Sequence, residues 1–122
     1  MKLRIKTDDV RFRLTRSDVN DLVTKGYLED SISFGTASLM FAIKETISPP
    51  ITVIFVSDTI TLFLPQHMVA ELANTEKVGF ESNAGELHIL VEKDFTCLEN
   101  VTEDQSDNYP NPLAEKYHEQ RN

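Results

Sequence analysis

Tryptophan is absent, glycine occurs four times and cysteine once. Four glycines fit neither a glycine-rich phosphate loop nor a low-complexity chain. A single cysteine, Cys97, excludes an internal disulfide framework and fits a reducing compartment. No apolar run approaches the roughly 20 residues of a membrane span. Met1-Lys-Leu-Arg-Ile-Lys6 is positively charged but has no apolar stretch behind it, so it does not read as a signal peptide. These absences predict a soluble cytoplasmic protein without a membrane partner. No motif for a catalytic group, a cofactor or a metal stands out, and none of the three is expected.

The chain has 122 residues, enough for one domain with a real core. The net charge is -8, unevenly placed. Residues 1–16 carry Lys2, Arg4, Lys6, Arg11, Arg13 and Arg16 against only Asp8 and Asp9, so the rest of the chain is strongly acidic. An acidic total argues against a general DNA-binder but leaves room for a local basic site.

One pattern occurs twice. Val10-Arg-Phe-Arg-Leu14, followed by Thr15 to Leu22, returns fifty positions later as Ile60-Thr-Leu-Phe-Leu64, followed by Pro65 to Leu72. Val10, Phe12 and Leu14 fall on Ile60, Leu62 and Leu64; Val19 and Leu22 fall on Val69 and Leu72; Asp8 falls on Asp58. Each copy reads strand, cap, amphipathic helix.

Lys2–Lys6 and Val10–Leu14 alternate cleanly and predict a hairpin with one apolar and one cationic face. Thr15 with Asp18 is close to a capping box, and Gly26 supplies the helix stop. A weaker strand follows over Tyr27–Phe34, and Leu39, Phe41 and Ile43 begin a stronger one, ended by Ser48-Pro49-Pro50. Ile51–Val56 is apolar on both faces and predicts a central, doubly covered strand. Ser57-Asp58 is short enough for a tight hairpin with Thr59–Leu64, and Pro65 is pre-set to open a second helix. Val78 and Phe80 predict a short strand, and Glu86–Lys93 the last one. Phe41-Ala-Ile43 and Ile89-Leu-Val91 play matching roles, two residues off the fifty-residue register, which keeps the same side facing inward.

The fold class is therefore α+β. Two β-β-α-β-β halves, 1–48 and 51–98, predict a mostly antiparallel eight-stranded barrel or curled sheet with two short helices, as one domain over 1–98. Residues 99–122 read as an acidic, proline-containing tail. Within it, Asn111-Pro112 opens a polar helix over Leu113–Gln120. The acids of this tail suit the cations of the first hairpin. The segment from Glu99 to Pro112 is expected to fold over or beside that face through Asp104, Asp107, Tyr109 and Pro110.

Val91-Glu-Lys-Asp-Phe-Thr-Cys-Leu98 followed by Glu103-Asp-Gln-Ser-Asp-Asn-Tyr-Pro-Asn-Pro112 resembles the C-terminal signature of a family of small uncharacterised bacterial proteins of about this length. Lys2–Lys6 and Arg11–Thr15 match that family's start. The resemblance covers nearly the whole chain and implies a single-domain bacterial cytosolic protein, without an activity to carry over.

The strongest candidate site is the cationic hairpin: Lys2, Arg4, Lys6, Arg11 and Arg13 on one face. It would give charge-assisted contacts to an anion, either a phosphate-rich small molecule or an acidic protein surface. The plain alternative is a solvated face, or one paired with the protein's own acids. The hairpin also resembles the triphosphate tunnel enzymes, whose barrels point alternating Arg, Lys and Glu inward, although their N-terminal Glu-x-Glu pattern is absent. Two readings follow: a non-enzymatic anion-contacting module, or an enzyme acting on phosphoesters or polyphosphate. The direction of Arg4, Arg11 and Arg13 separates them. Glu86, His88 and Glu92, with His67 or Cys97 near, lack a diagnostic metal spacing. Asp94 and Glu99 beside Cys97 push its pKa the wrong way for a nucleophile.

Overall fold

A computed structural model of the chain describes residues 1–95 and 105–111. The element order is β1 (Lys2–Lys6), β2 (Asp9–Leu14), α1 (Arg16–Lys25), β3 (Tyr27–Ser33), β4 (Ser38–Thr46), β5 (Thr52–Val56), β6 (Thr59–Pro65), α2 (Gln66–Asn74), β7 (Gly79–Ala84) and β8 (Leu87–Lys93). Both halves are ββαββ. Cys97, Asp104 and the helix expected over Leu113–Gln120 lie outside the described residues.

The local signals act as their chemistry requires. The Thr15 side chain accepts from the Asp18 amide while the Asp18 carboxylate accepts from the Thr15 amide at 2.9 Å, a complete capping box. Gly26 ends α1 with a left-handed φ of 70°, a conformation that a Cβ disfavours. Pro65 opens α2 with no side-chain cap. Ser57 and Asp58, with φ of 52° and 60°, make the tight turn between β5 and β6.

The strands form two four-stranded sheets. Sheet I has the order β1-β2-β8-β7, and sheet II the order β3-β4-β6-β5. In each, the outer pairs are antiparallel and the central pair, β2–β8 or β4–β6, is parallel. Each sheet takes one hairpin from each half, because α1 carries the chain from sheet I to sheet II and α2 carries it back. The halves are therefore interleaved.

The internal repeat is visible in the ladders. Leu3 pairs with Phe12, and Val53 with Leu62. Val10 pairs with Ile89, and Ile60 with Phe41. The His88 amide donates to the Asp8 carbonyl at 2.7 Å, and the Met40 amide to the Asp58 carbonyl at 2.9 Å. The last two comparisons confirm the matching roles of 41–43 and 89–91.

Two expectations fail. There is no barrel or curled sheet: among the described residues β1, β7, β3 and β5 each have one ladder partner, so neither sheet closes. Halves that exchange hairpins across two sheets leave four edges where a barrel would leave none. Nor is β5 central and doubly covered. It is the edge of sheet II, with Ile54, Phe55 and Val56 exposed. An apolar run is the mark of a covered strand only where something covers it.

One core joins both sheets and both helices. Phe12, Leu14, Ile89 and Val91 from sheet I meet Ile43, Leu62 and Leu64 from sheet II, with Leu22 and Leu72 from the helices. Leu14 and Leu64, fifty positions apart, are both fully buried, and each leads into a helix. Among the described residues no helix is long and apolar enough to cross a membrane.

Candidate functional site: the outer face of sheet I

Strand alternation fixes where the cations go. On β2, Val10, Phe12 and Leu14 are buried, so Arg11 and Arg13 project from the opposite face. Leu3 packs against the core from β1, so Lys2, Arg4 and Lys6 share that outer face. The ladder sets Arg4 directly opposite Arg11 and Lys2 opposite Arg13, two like-charge pairs that cost stability unless anions or water relieve them. The five predicted cations are thus brought together on one open surface, pointing outward.

Glu92 on the neighbouring strand and Asp94 just beyond its end supply two of the anions. Arg13 opposes Glu92 across the parallel β2–β8 ladder, and its Nε donates to Glu92 Oε1 at 3.1 Å. Arg11 Nε lies 3.6 Å from the same oxygen, an ion pair too long for a hydrogen bond. Lys2 Nζ lies 3.1 Å from Asp94 Oδ2, on a carboxylate that is 93% buried by side chain. Sequence reasoning assigned these neutralising acids to the tail. It could not know that β8, which carries Glu92, lies beside β2.

Glu92 and Asp94 do not cover the whole patch. Among the described residues no carboxylate lies within ion-pair distance of Arg4 or Lys6. Arg11 Nε is buried and has no hydrogen-bond partner. These three residues and Asp9 line a small cleft of about 50 Å³. An oxyanion in the cleft would relieve the repulsion between Arg4 and Arg11.

The tail residues lie at one end of this surface. Asp107 meets the start of α1: its carbonyl accepts from the Arg16 amide at 3.1 Å, and its carboxylate from the Ser17 hydroxyl at 3.0 Å. Hydrogen bonding from Thr15 and Ser17 holds Asp107 below its ordinary carboxylate pKa. Tyr109 bridges to Phe95 in parallel and packs edge-on against its ring, with Lys93 Nζ 4.8 Å from the tyrosine centroid. Burial raises the Tyr109 hydroxyl and lowers the Lys93 ammonium. Pro110 is exposed. Gln105 and Asn108 line a second cavity with Lys2, Arg13, Glu92 and Asp94. The described part of the tail thus binds beside the cations, and its one described acid caps a helix.

Of the residues in the metal reading, Cys97 lies outside the described residues. His88 Nε2 meets Glu81 Oε2 at 3.1 Å and Glu92 is held by the arginines. Among the described residues no group of three His, Cys, Asp or Glu is placed to hold a metal ion.

Residues 1–113 match the model of a Family of unknown function (DUF7009). The chain belongs to the DUF7009 family. The signature over Val91–Leu98 and Glu103–Pro112 falls within the matched span. No curated protein matches this DUF7009 chain, and no solved structure does.

Proposed function

We propose that this DUF7009 protein is a non-enzymatic module that contacts an anion through the outer face of sheet I. Arg4, Lys6 and Arg11 form the contact, with Lys2 and Arg13 at its border. The observation that carries the reading is Arg4 set directly against Arg11 beside a small cleft, with no carboxylate among the described residues within ion-pair distance of Arg4 or Lys6. A like-charge pair costs stability, and a bound phosphate-like group offsets that cost. The ligand class is a phosphate-rich small molecule or an acidic protein surface.

A barrel enzyme of the triphosphate-tunnel type needs a lumen with inward-pointing arginines. The open sheet and the outward direction of Arg4, Arg11 and Arg13 favour the binding module. Residues 105–110 act in this reading as a strap. Asp107 fastens them to α1, and Tyr109 to Phe95 and Lys93, so that Glu92 at the end of β8 and Asp94 just beyond it stay in place beside the cations.

Calorimetric titration with tripolyphosphate at low ionic strength tests the proposal, since salt screens exposed charges. Arg4→Gln and Arg11→Gln should each weaken binding about tenfold or more, as hydrogen bonds to charged groups contribute ~1.5–3 kcal/mol. Glu92→Gln should strengthen it by removing the competing carboxylate. Equal affinity in wild type and Arg11→Gln would refute the site.

A further inference from the structure

Among the described residues the edge strand β5 pairs with β6 on one side only, and its other row of backbone N–H and C=O groups has no ladder partner. β7 of sheet I comes near it without pairing. Proteins commonly blunt such edges with charge, proline or a bulge. β1, at the equivalent place in sheet I, is blunted: Lys2, Arg4 and Lys6 lie along it. β5 reads Thr-Val-Ile-Phe-Val, without a charge, and its Ile54, Phe55 and Val56 are 45%, 64% and 60% exposed. The outer face behind it continues uncharged through Thr59, Thr61 and Phe63 on β6.

The pattern of β5 selects its partner. In an antiparallel self-pairing centred on Ile54, Ile54 faces its own copy, Thr52 faces Val56 and Val53 faces Phe55. Every cross-strand pair is then β-branched or aromatic, and no like charges meet. The same operation on β1 would set Arg4 against Arg4. On β3, centred at Asp30, it would set two aspartates together. A two-fold axis needs a self-complementary strand, and β5 has that property.

We propose that the chain forms a two-fold homodimer through antiparallel β5–β5 pairing, joining the two copies of sheet II into one eight-stranded sheet. Being uncharged, the contact holds at high salt. Sedimentation equilibrium of the full chain tests it, over a wide concentration range. The expected mass is twice the 13.9 kDa of one chain. Ile54→Arg, which copies the residue of β1 at the equivalent position, should raise the dimer dissociation constant about a hundredfold. Ile5→Arg adds the same charge to the other edge and should leave the mass unchanged. In a Cys97→Ser background, Ile54→Cys should oxidise to a covalent dimer, because residues directly opposite in an antiparallel pair lie within disulfide reach. This last variant reports on the pairing even if Ile54→Arg fails to fold. A monomer at every concentration, growth of mass without a limit, equal weakening by both arginine variants, or no covalent dimer would each overturn the proposal.

Discussion

The outer faces of the two sheets share a backbone and differ in chemistry. At positions fifty apart, Lys2 corresponds to Thr52, Arg4 to Ile54, Lys6 to Val56, Arg11 to Thr61 and Arg13 to Phe63. The inner faces agree instead: Leu3 with Val53, Val10 with Ile60, Phe12 with Leu62 and Leu14 with Leu64. Inner residues are held to apolar types by the shared core, because a cavity or a buried charge there costs several kcal/mol. Outer residues are free of that demand. What they carry therefore reflects what each face meets: anions on sheet I in our proposal, and a second copy of the chain at the edge of sheet II.

The comparison breaks most severely in the core. Leu14→Ala and Leu64→Ala should each lower unfolding free energy by roughly 2–5 kcal/mol, as for buried leucines generally. Denaturant titration should return similar losses for the two. A loss below about 1 kcal/mol at Leu64 would mean that the two positions are not equivalent.

A smaller effect is expected when sheet I is made to resemble sheet II. The double variant Arg4→Ile, Arg11→Thr should lose tripolyphosphate binding, yet it should retain or slightly raise the melting temperature. It removes one like-charge pair, Arg4 against Arg11, worth a fraction of a kcal/mol up to about 1 kcal/mol. A large drop in stability would show that the arginines serve the fold.

The helix starts differ next. Thr15→Ala removes a complete capping box and should cost ~1 kcal/mol. Pro65→Ala removes no side-chain cap and should cost less in thermal unfolding.

The smallest effect concerns pH. The folded-state pKa of Asp107 is depressed, first by hydrogen bonding from Thr15 and then by Ser17. Its contribution is present above the unfolded carboxylate pKa, and is lost as pH falls through the folded value. Asp107→Asn should therefore flatten the acid limb of the melting temperature against pH, by a small lowering at neutral pH and no change at low pH, where the wild-type carboxylate is protonated in both states.

Much of this architecture was legible in the sequence because short-range chemistry fixes it. The alternation of Lys2–Lys6 and Asp9–Leu14 gives β1 and β2, and Thr15, Asp18 and Gly26 bound α1. The fifty-residue echo gives the two ββαββ halves. What stayed hidden was long-range pairing. Nothing in Val10–Leu14 or in Leu87–Lys93 announces that they lie side by side in parallel, and that pairing decides both the open sheets and the place of Glu92. Ile51–Val56 misled for the same reason: its pattern reports hydrophobicity on both faces, not the presence of cover. The five cations were legible as one face. Asp107 was legible only as an acid, and its position at α1 depends on a return of the chain that no local signal marks.

The central claim is that the anion contact belongs to sheet I and is absent from its counterpart. Backbone amide shifts of the isotopically labelled protein, followed by NMR during tripolyphosphate titration at low salt, test this most directly. Saturable shifts are predicted at Arg4, Lys6 and Arg11, weaker ones at Lys2 and Arg13, and none at Ile54, Val56 or Thr61. Shifts spread equally over both sheets, or no saturable shift at Arg4 and Arg11, would contradict it.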